Sequence, residues 1–410
     1  MKKTIRIAVI GLGQRGNGLM NNIIHFEDVA VIALCDRFED RIESMKGRLK
    51  EAGRPEPFAS KDYREILALK PDLILLSTSW CTHVEVTLSA MELGIPVAME
   101  VGGTHHIDDC WKLVDAYEKT HTPFFFLENC CYNREELLVT SRVRNGVFGE
   151  VIHCSGAYRH DLRGEIAGGI DTHHYRLEEY KNNNCENYPT HELGPIAKIL
   201  NINRGNRFTK LVSMSSKARG MNVYIDEQEK YRDRLGGTHF AQGDVTNTLI
   251  QCENGETISL TLDTTLPHLY DRALMVEGTK GWYSQTIETV VVDGKLDDEE
   301  FIQEGKRFHN QEEYADYLPE DWKNITEAQR AAGHGGMDYV MLKHLFDDIR
   351  EGREMAIDIY DAVSWMVVTA LSALSIEQGS VPVDFPDFTR GKYKDRKPID
   401  VMELPTIAAK

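Results

Sequence analysis

The chain has 410 residues and carries 47 Lys+Arg against 65 Asp+Glu, a formal net charge of −18. That balance repels nucleic acid and anionic membrane surfaces, so a neutral small molecule is the expected partner. At 41 % apolar and 27 % charged residues, with no uninterrupted apolar run of spanning length, the composition is that of a globular protein outside the membrane.

Met1-Lys2-Lys3 leads at once into an apolar run at 5–11, a core strand rather than an export signal. A helical stretch at 16–25 follows, then a second apolar run at 29–36 and a charged helix to about 51. Further apolar runs at 73–77, 97–100 and 123–127 alternate with helical patterns at 82–93 and 107–119. Strands apolar throughout and separated by helices predict a doubly wound parallel sheet covered on both faces. Gly11-Leu12-Gly13-Gln14-Arg15-Gly16 closes the first strand and opens a helix. The first glycine permits the tight turn, the second lets backbone approach a pyrophosphate, and the third lets helix and strand pack closely. Asp36 ends the second strand, where an acid binds ribose hydroxyls and disfavours a 2′-phosphate. A Rossmann domain binding NAD is therefore expected over 1–130.

Beyond Gly149 the pattern changes. Runs at 151–158, 210–215, 246–251, 257–264 and 286–292 are rich in Thr, Val and Ile, and Asn254-Gly255 marks a hairpin. An α+β substrate-binding domain with a mainly antiparallel open sheet is expected over 131–385, with helices at 339–351 and 359–378. A tail at 386–410 packs back on the body. The eight scattered cysteines, with no CxxC, read as reduced thiols and a cytoplasmic location. His105-His106, His173-His174 and His334 lack ligand-spaced Cys or carboxylates, so no metal is expected, and the acidic run at 297–300 reads as a solvated face.

A Rossmann half followed by an open antiparallel sheet resembles the Gfo/Idh/MocA oxidoreductases, in which a Glu-Lys-Pro lysine and a downstream histidine serve the redox step. Here that position reads Glu100-Val101-Gly102. Tyr158-Arg-His-Asp-Leu-Arg163, Asn187-Tyr-Pro-Thr-His-Glu-Leu-Gly-Pro195, Asn201-Ile-Asn-Arg-Gly205, Gly333-His-Gly-Gly-Met-Asp338 and Phe385-Pro-Asp-Phe-Thr-Arg390 are similar to glycoside hydrolase family 109. Those enzymes are NAD-dependent α-N-acetylgalactosaminidases. The resemblance implies that Tyr158, His160, Arg176, Tyr188, His191 and Tyr270 surround a sugar. It also implies that Gly11, Gly13, Gln14, Arg15, Gly16, Asp36, Trp80, His83, Glu100, Val101 and Asn129 surround NAD, with Trp80 and His83 in the loop after the fourth strand. Glu192 stands where the family has glycine, and the stretch between Arg163 and Arg176 is shorter; both are expected beside the sugar.

The implied chemistry is transient oxidation at C3, loss of the acidified C2 proton, elimination of the aglycone, addition of water and re-reduction. His191 is the candidate for the C3 hydroxyl proton, and Tyr158 or Tyr270 for the C2 proton. Arg176 clamps the sugar or steadies a tyrosinate. The rivals are a dehydrogenase releasing a 3-keto sugar or oxidised polyol, and a dinucleotide-loaded sugar sensor without catalysis. By family analogy the sheet face of the second domain makes a homo-dimer or homo-tetramer.

Overall fold

Strand β1 (Ile5–Ile10) is buried at every position but Arg6, as a strand inside a sheet covered on both faces must be. It pairs in parallel with β2 (Val29–Cys35) on one side and with β4 (Leu73–Leu76) on the other. Beside these lie β3 (Phe58–Ser60), β5 (Val97–Met99) and β6 (Phe124–Phe126), in the order β3-β2-β1-β4-β5-β6. Helices α1 (Gln14–Ile23), α2 (Glu39–Glu51), α3 (Tyr63–Ala68), α4 (Trp80–Glu92) and α5 (Ile107–Thr120) make the crossovers. The strand order reverses between β1 and β4, and the carboxyl ends of strands at such a switch point form a ligand crevice. These observations come from a computed structural model that describes residues 3–295 and 310–407. The acidic run at 297–300 lies outside the described residues.

After α6 (Arg134–Arg144) the chain enters a second sheet. Its strands are β7 (Val151–Arg159), β8 (Phe208–Ser215), β9 (Val245–Cys252), β10 (Thr257–Asp263), β11 (Met275–Gly278), β12 (Gly281–Ser284), β13 (Thr289–Val292) and β14 (Val383–Asp384). They run in the order β13-β12-β11-β7-β10-β9-β8-β14, and every pair is antiparallel except β7 with β10. The Asn254-Gly255 turn joins β9 to β10 as expected, with Gly255 at φ 104°. In β9 buried Thr246, Thr248, Ile250 and Cys252 alternate with more exposed residues. Leu249 and Met214 on neighbouring strands are 55 % and 64 % exposed on the outer face.

The helices of this half are α7 (Arg163–Thr172), α8 (Arg176–Asn182), α9 (Thr190–Ile199), α10 (Gly220–Glu227), α11 (Glu229–Leu235), α12 (Glu320–Lys323), α13 (Glu327–Ala331), α14 (Met337–Glu351) and α15 (Ile359–Glu377). Helix α9 packs on β7, while α15 packs on β6 and α5 of the first half and on β8 and α9 of the second. Although α15 is long and apolar enough to cross a membrane, 83 % of its apolar stretch is buried inside the protein. It is the central core helix and joins the two sheets.

The strand expected at 286–292 is confined to β13. Absent from the expectations are β3, α3, β11 and β12, three to six residues long and too short for a period to register, and also the longer helices α6, α7, α8, α10 and α11.

The amino end of α15 is fixed by a buried charge cluster. Asp358 caps the helix, accepting from the amides of Tyr360 and Asp361, and Arg204 Nη1 meets Asp361 at 2.8 and 3.0 Å while Nη2 reaches Asp358 at 3.1 Å. Arg204 and Asp361 are almost wholly buried. Replacing Arg204 by Met takes the ion-pair partner from buried Asp361 and leaves Asp358 to Arg396 alone, so urea unfolding should show a loss of roughly 3–5 kcal/mol.

Candidate active site

The glycine loop fits a dinucleotide on its own geometry. Gly11 holds φ 97°, and a Cβ there would overlap the backbone of Ser77; one on Gly16 would overlap the Gly11 carbonyl. Those two glycines serve the protein's own packing. Gly13 does not: a Cβ on it would meet only Arg41 Nη1 at 3.7 Å, so this backbone faces open space. No side chain caps α1, which leaves its first amides free for phosphate oxygens. Gln14 and Arg15 open that helix. Asp36 is buried, accepting from Leu12 N at 2.7 Å and Phe38 N at 2.9 Å, with Arg41 Nη1 at 3.7 Å.

Trp80 and His83 lie in the first turn of α4, not in the preceding loop as the sequence reading had it. Ser79 is the N-cap, so the helix begins at the tryptophan. His83 is buried, with Nε2 3.1 Å from the Thr78 carbonyl, and burial lowers its pKa to about 4. The imidazole is thus neutral at physiological pH and braces the β4–α4 turn. Gly102 lies against the Trp80 indole, which a Cβ would overlap. The departure from Glu-Lys-Pro therefore has a steric reason: the tryptophan occupies the space of any larger residue at 102, and Val101 is a buried apolar side chain. Glu100 accepts from Arg15 Nε at 2.7 Å and from Val101 N at 3.1 Å. Asn129 donates to Asp338 at 2.7 Å.

Next to Trp80 an aromatic well gathers residues from three elements and three loops. Tyr158 ends β7, and its ring centroid lies 4.7 Å from Tyr188, 5.7 Å from His191 and 6.1 Å from Tyr270. His160 lies 5.1 Å from Tyr270 and its Nδ1 is 3.3 Å from the Tyr158 hydroxyl. Tyr188 stacks 5.6 Å from Trp80. The Arg176 guanidinium sits 4.8 Å from the Tyr188 ring centroid and 5.5 Å from that of Trp80. Arg176 Nε lies 3.0 Å from Glu165 of α7. Burial raises the pKa of the Tyr158 phenol, with Arg176 pulling the other way. Half-exposed Tyr270 accepts from Arg272 Nη1 at 3.1 Å, and Arg272 is itself held by Glu136 at 2.6 Å.

His191 stands in the first turn of α9. Its Nδ1 is 2.7 Å from Glu128 Oε1, and its Nε2 is 3.2 Å from the Tyr188 hydroxyl. Glu128 follows β6, is fully buried and also accepts from Cys130 N at 3.0 Å. Burial pushes its pKa up, but His191 and the hydrogen bonds outweigh that and hold it below the usual carboxylate range. An ionised Glu128 accepts the hydrogen bond from Nδ1–H, so Nε2 carries the lone pair, and it meets the Tyr188 hydroxyl at the wall of the well. This is the arrangement of a general base oriented by a carboxylate. Glu128, Glu165, Arg272 and Asp338 were not singled out from sequence as site residues. Glu128, Cys130 and His191 also place ligand-type atoms within 4.8 Å of one another, although the hydrogen bond already joins two of them.

Glu192, expected beside the sugar, is buried against the second sheet. It lies under β7, where a Cβ on Gly156 would press on its own, and it is 2 % exposed. Burial and the neighbouring Glu186 raise its pKa. The paired histidines separate: His105 bonds Glu179 at 2.7 Å, His173 stacks on Phe38, and His334 bonds Asp338 at 2.7 Å.

Residues 5–127 match the family described as "Oxidoreductase family, NAD-binding Rossmann fold", and residues 132–395 match "Glycosyl hydrolase 109, C-terminal domain". The chain is 38 % identical over 405 residues to a glycosyl hydrolase family 109 protein of Solibacter usitatus, covering 97 % of this chain and 91 % of that one. It is 32 % identical over 418 residues to an alpha-N-acetylgalactosaminidase of Tannerella forsythia, covering 96 % and 88 %. Among solved structures, levoglucosan dehydrogenase in complex with NADH and L-sorbose superposes with a TM-score of 0.68 at 15 % identity, over 94 % of this chain and all of the other. Myo-inositol 2-dehydrogenase from Lactobacillus plantarum superposes with 0.63 at 15 % identity, over the same shares. At that identity the likeness is one of fold. The dinucleotide site is of the NAD type.

The buried His83 makes a testable contribution to pH-dependent stability. With a folded pKa of about 4 against 6.5 unfolded, the unfolded chain takes the proton first as pH falls. The term is absent above 6.5 and grows down to about 4, so lowering pH from 7 to 5 should cost about 2 kcal/mol through this residue. In His83→Gln that part of the slope should vanish from urea midpoints measured at the two pH values; an unchanged slope contradicts the assignment.

Proposed function

The chain belongs to glycosyl hydrolase family 109, and on that premise we propose that it is an NAD-dependent glycosidase acting on an α-N-acetylgalactosaminide. The observation that carries this reading is the Glu128–His191 pair, opening at Nε2 into an aromatic well beside the glycine loop. Gly13, Gln14 and Asp36 would hold the dinucleotide in the turn that Gly11 and Gly16 make possible, with Trp80, Glu100, Val101 and Asn129 toward its nicotinamide side. The Asp36 carboxylate at the end of β2 favours ribose hydroxyls over a 2′-phosphate, hence NAD over NADP. When bound, the dinucleotide supplies reversible two-electron oxidation of a sugar carbon, so the cycle closes without net redox change.

The chain's own residues bind the sugar and move protons. His191 Nε2 accepts the proton of the C3 hydroxyl, and Glu128 balances the imidazolium that forms. Tyr158, the more buried of the two candidate tyrosines, passes its hydroxyl proton to His160 Nδ1, 3.3 Å away, and the phenolate so formed accepts the C2 proton. Arg176, lying close to that ring, steadies the phenolate. Tyr270, braced by Arg272, closes the mouth of the well. Val101 leaves no lysine where the dehydrogenases have one, and the proton chemistry passes to the imidazole and phenol.

The partner is a small neutral glycoside. The outer face of the second sheet, where Leu249 and Met214 stand exposed, seats a second copy of the chain. The free thiols, seven of them buried, fit a reducing cytoplasm.

Two experiments follow. With nitrophenyl α-N-acetylgalactosaminide, His191→Ala should abolish phenol release. Glu128→Gln and Tyr158→Phe should each lower kcat by about 10²–10⁴-fold with little change in KM, and Tyr270→Phe should act mainly on KM. Full activity in His191→Ala would overturn the reading. Separately, Leu249→Lys should shift the sedimentation coefficient toward the monomer without lowering Tm.

A further inference from the structure

The glycine loop is gripped from the other half of the molecule. Arg15 leaves the first turn of α1 and meets Asp338, in the first turn of α14, in a two-pronged pair: Nη1 to Oδ2 at 2.7 Å and Nη2 to Oδ1 at 2.9 Å. Its Nε donates to Glu100 at 2.7 Å. Asp338 is 1 % exposed, and it also takes Asn129 Nδ2 at 2.7 Å and bonds His334 Nδ1 at 2.7 Å. One buried carboxylate thus gathers the loop after β1, the turn after β6 and its own approach segment. That segment coils tightly, with Gly333, Gly335 and Gly336 at φ 148°, 65° and 105°, values that glycine adopts without strain.

A second tie lies at the end of β2. Arg41 Nη2 donates to the Thr172 carbonyl at 3.1 Å, and the Phe38 ring stacks on His173 at 5.1 Å. The second half of the chain therefore holds both the glycine loop and the strand end that carries Asp36. All three guanidinium nitrogens of Arg15 are engaged by carboxylates, so its charge is already balanced and it does not serve as a free phosphate clamp.

We propose that Asp338 is the positioning residue that keeps the dinucleotide captive: through Arg15 and Asn129 it fastens the glycine loop to the second domain, and the dinucleotide leaves only when that grip opens. The proposal rests on the NAD reading above. It gives the grip a purpose, because electrons removed from the sugar must return to the same molecule, and a dinucleotide exchanged in mid-cycle would break that sequence.

The test uses the purified holoprotein. Dinucleotide retained through successive desalting steps is released by heat and assayed, for wild type, Asp338→Asn and Arg15→Lys. Asp338→Asn should lose its dinucleotide at least tenfold faster than wild type, with Arg15→Lys intermediate because it keeps the charge but not the fork. Phenol release by Asp338→Asn should come to depend on added NAD⁺ and recover to near the wild-type kcat at saturation. Equal retention in wild type and both variants overturns the proposal, as does activity that saturating NAD⁺ fails to restore. If Asp338→Asn does not fold, the Arg15→Lys loss rate decides alone. A wild-type protein that neither carries nor binds dinucleotide overturns the cofactor reading itself, a result distinct from equal retention.

Discussion

The 2.7 Å hydrogen bond between Glu128 and His191 is the contact on which the site depends. Its acceptor ends the parallel sheet of one domain and its donor begins the helix that packs under the antiparallel sheet of the other. A carboxylate with no exposed surface stays ionised only if a partner repays its lost hydration. His191, the Cys130 amide and the turn around them provide that partner. The same bond sets the imidazole tautomer, which in turn leaves the lone pair on the nitrogen that meets Tyr188 at the aromatic well. Burial, protonation and orientation are one constraint.

The architecture around that bond explains how an oxidoreductase fold hosts a hydrolase. The sheet order and glycine loop are those of a dinucleotide-binding domain, and the solved structures that superpose on the chain include polyol and sugar dehydrogenases. What differs is local. Trp80 packs onto Gly102 and Val101 is apolar, so a familiar proton donor is absent from the Rossmann side. The titratable groups come instead from β7, α8, α9 and the loops beside them: tyrosines held by ring packing, Arg176 by Glu165 and His191 by Glu128. Fold supplies the dinucleotide, and the site supplies the reaction.

Much of this was legible in the residues. Strands apolar at nearly every position, such as residues 5–10 and 73–76, report a doubly covered sheet directly, and the glycine spacing reports the turn that follows. Glu128 and Asp338 were not legible as site residues because pairing across 63 and 323 residues leaves no local period. Glu192 was misplaced for a different reason. Successive residues of a helix point about 100° apart, so when His191 faces the well its neighbour turns toward β7. Trp80 and His83 stand in a loop only in what the resemblance implies; the apolar spacing already gives a helix from 82, and the Ser79 cap starts it two residues earlier, at Trp80.

The account stands or falls on whether proton and electron leave the sugar and return while the dinucleotide stays bound. The direct measurement is hydrolysis of an α-N-acetylgalactosaminide by the purified protein in D₂O with no NAD added, followed by mass and proton spectra of the sugar and assay of the bound dinucleotide. Deuterium at C2 of the released sugar, with the dinucleotide unchanged in amount and oxidation state, is the predicted result. Release of a sugar that keeps its original C2 proton, or full turnover by protein stripped of dinucleotide, would contradict it.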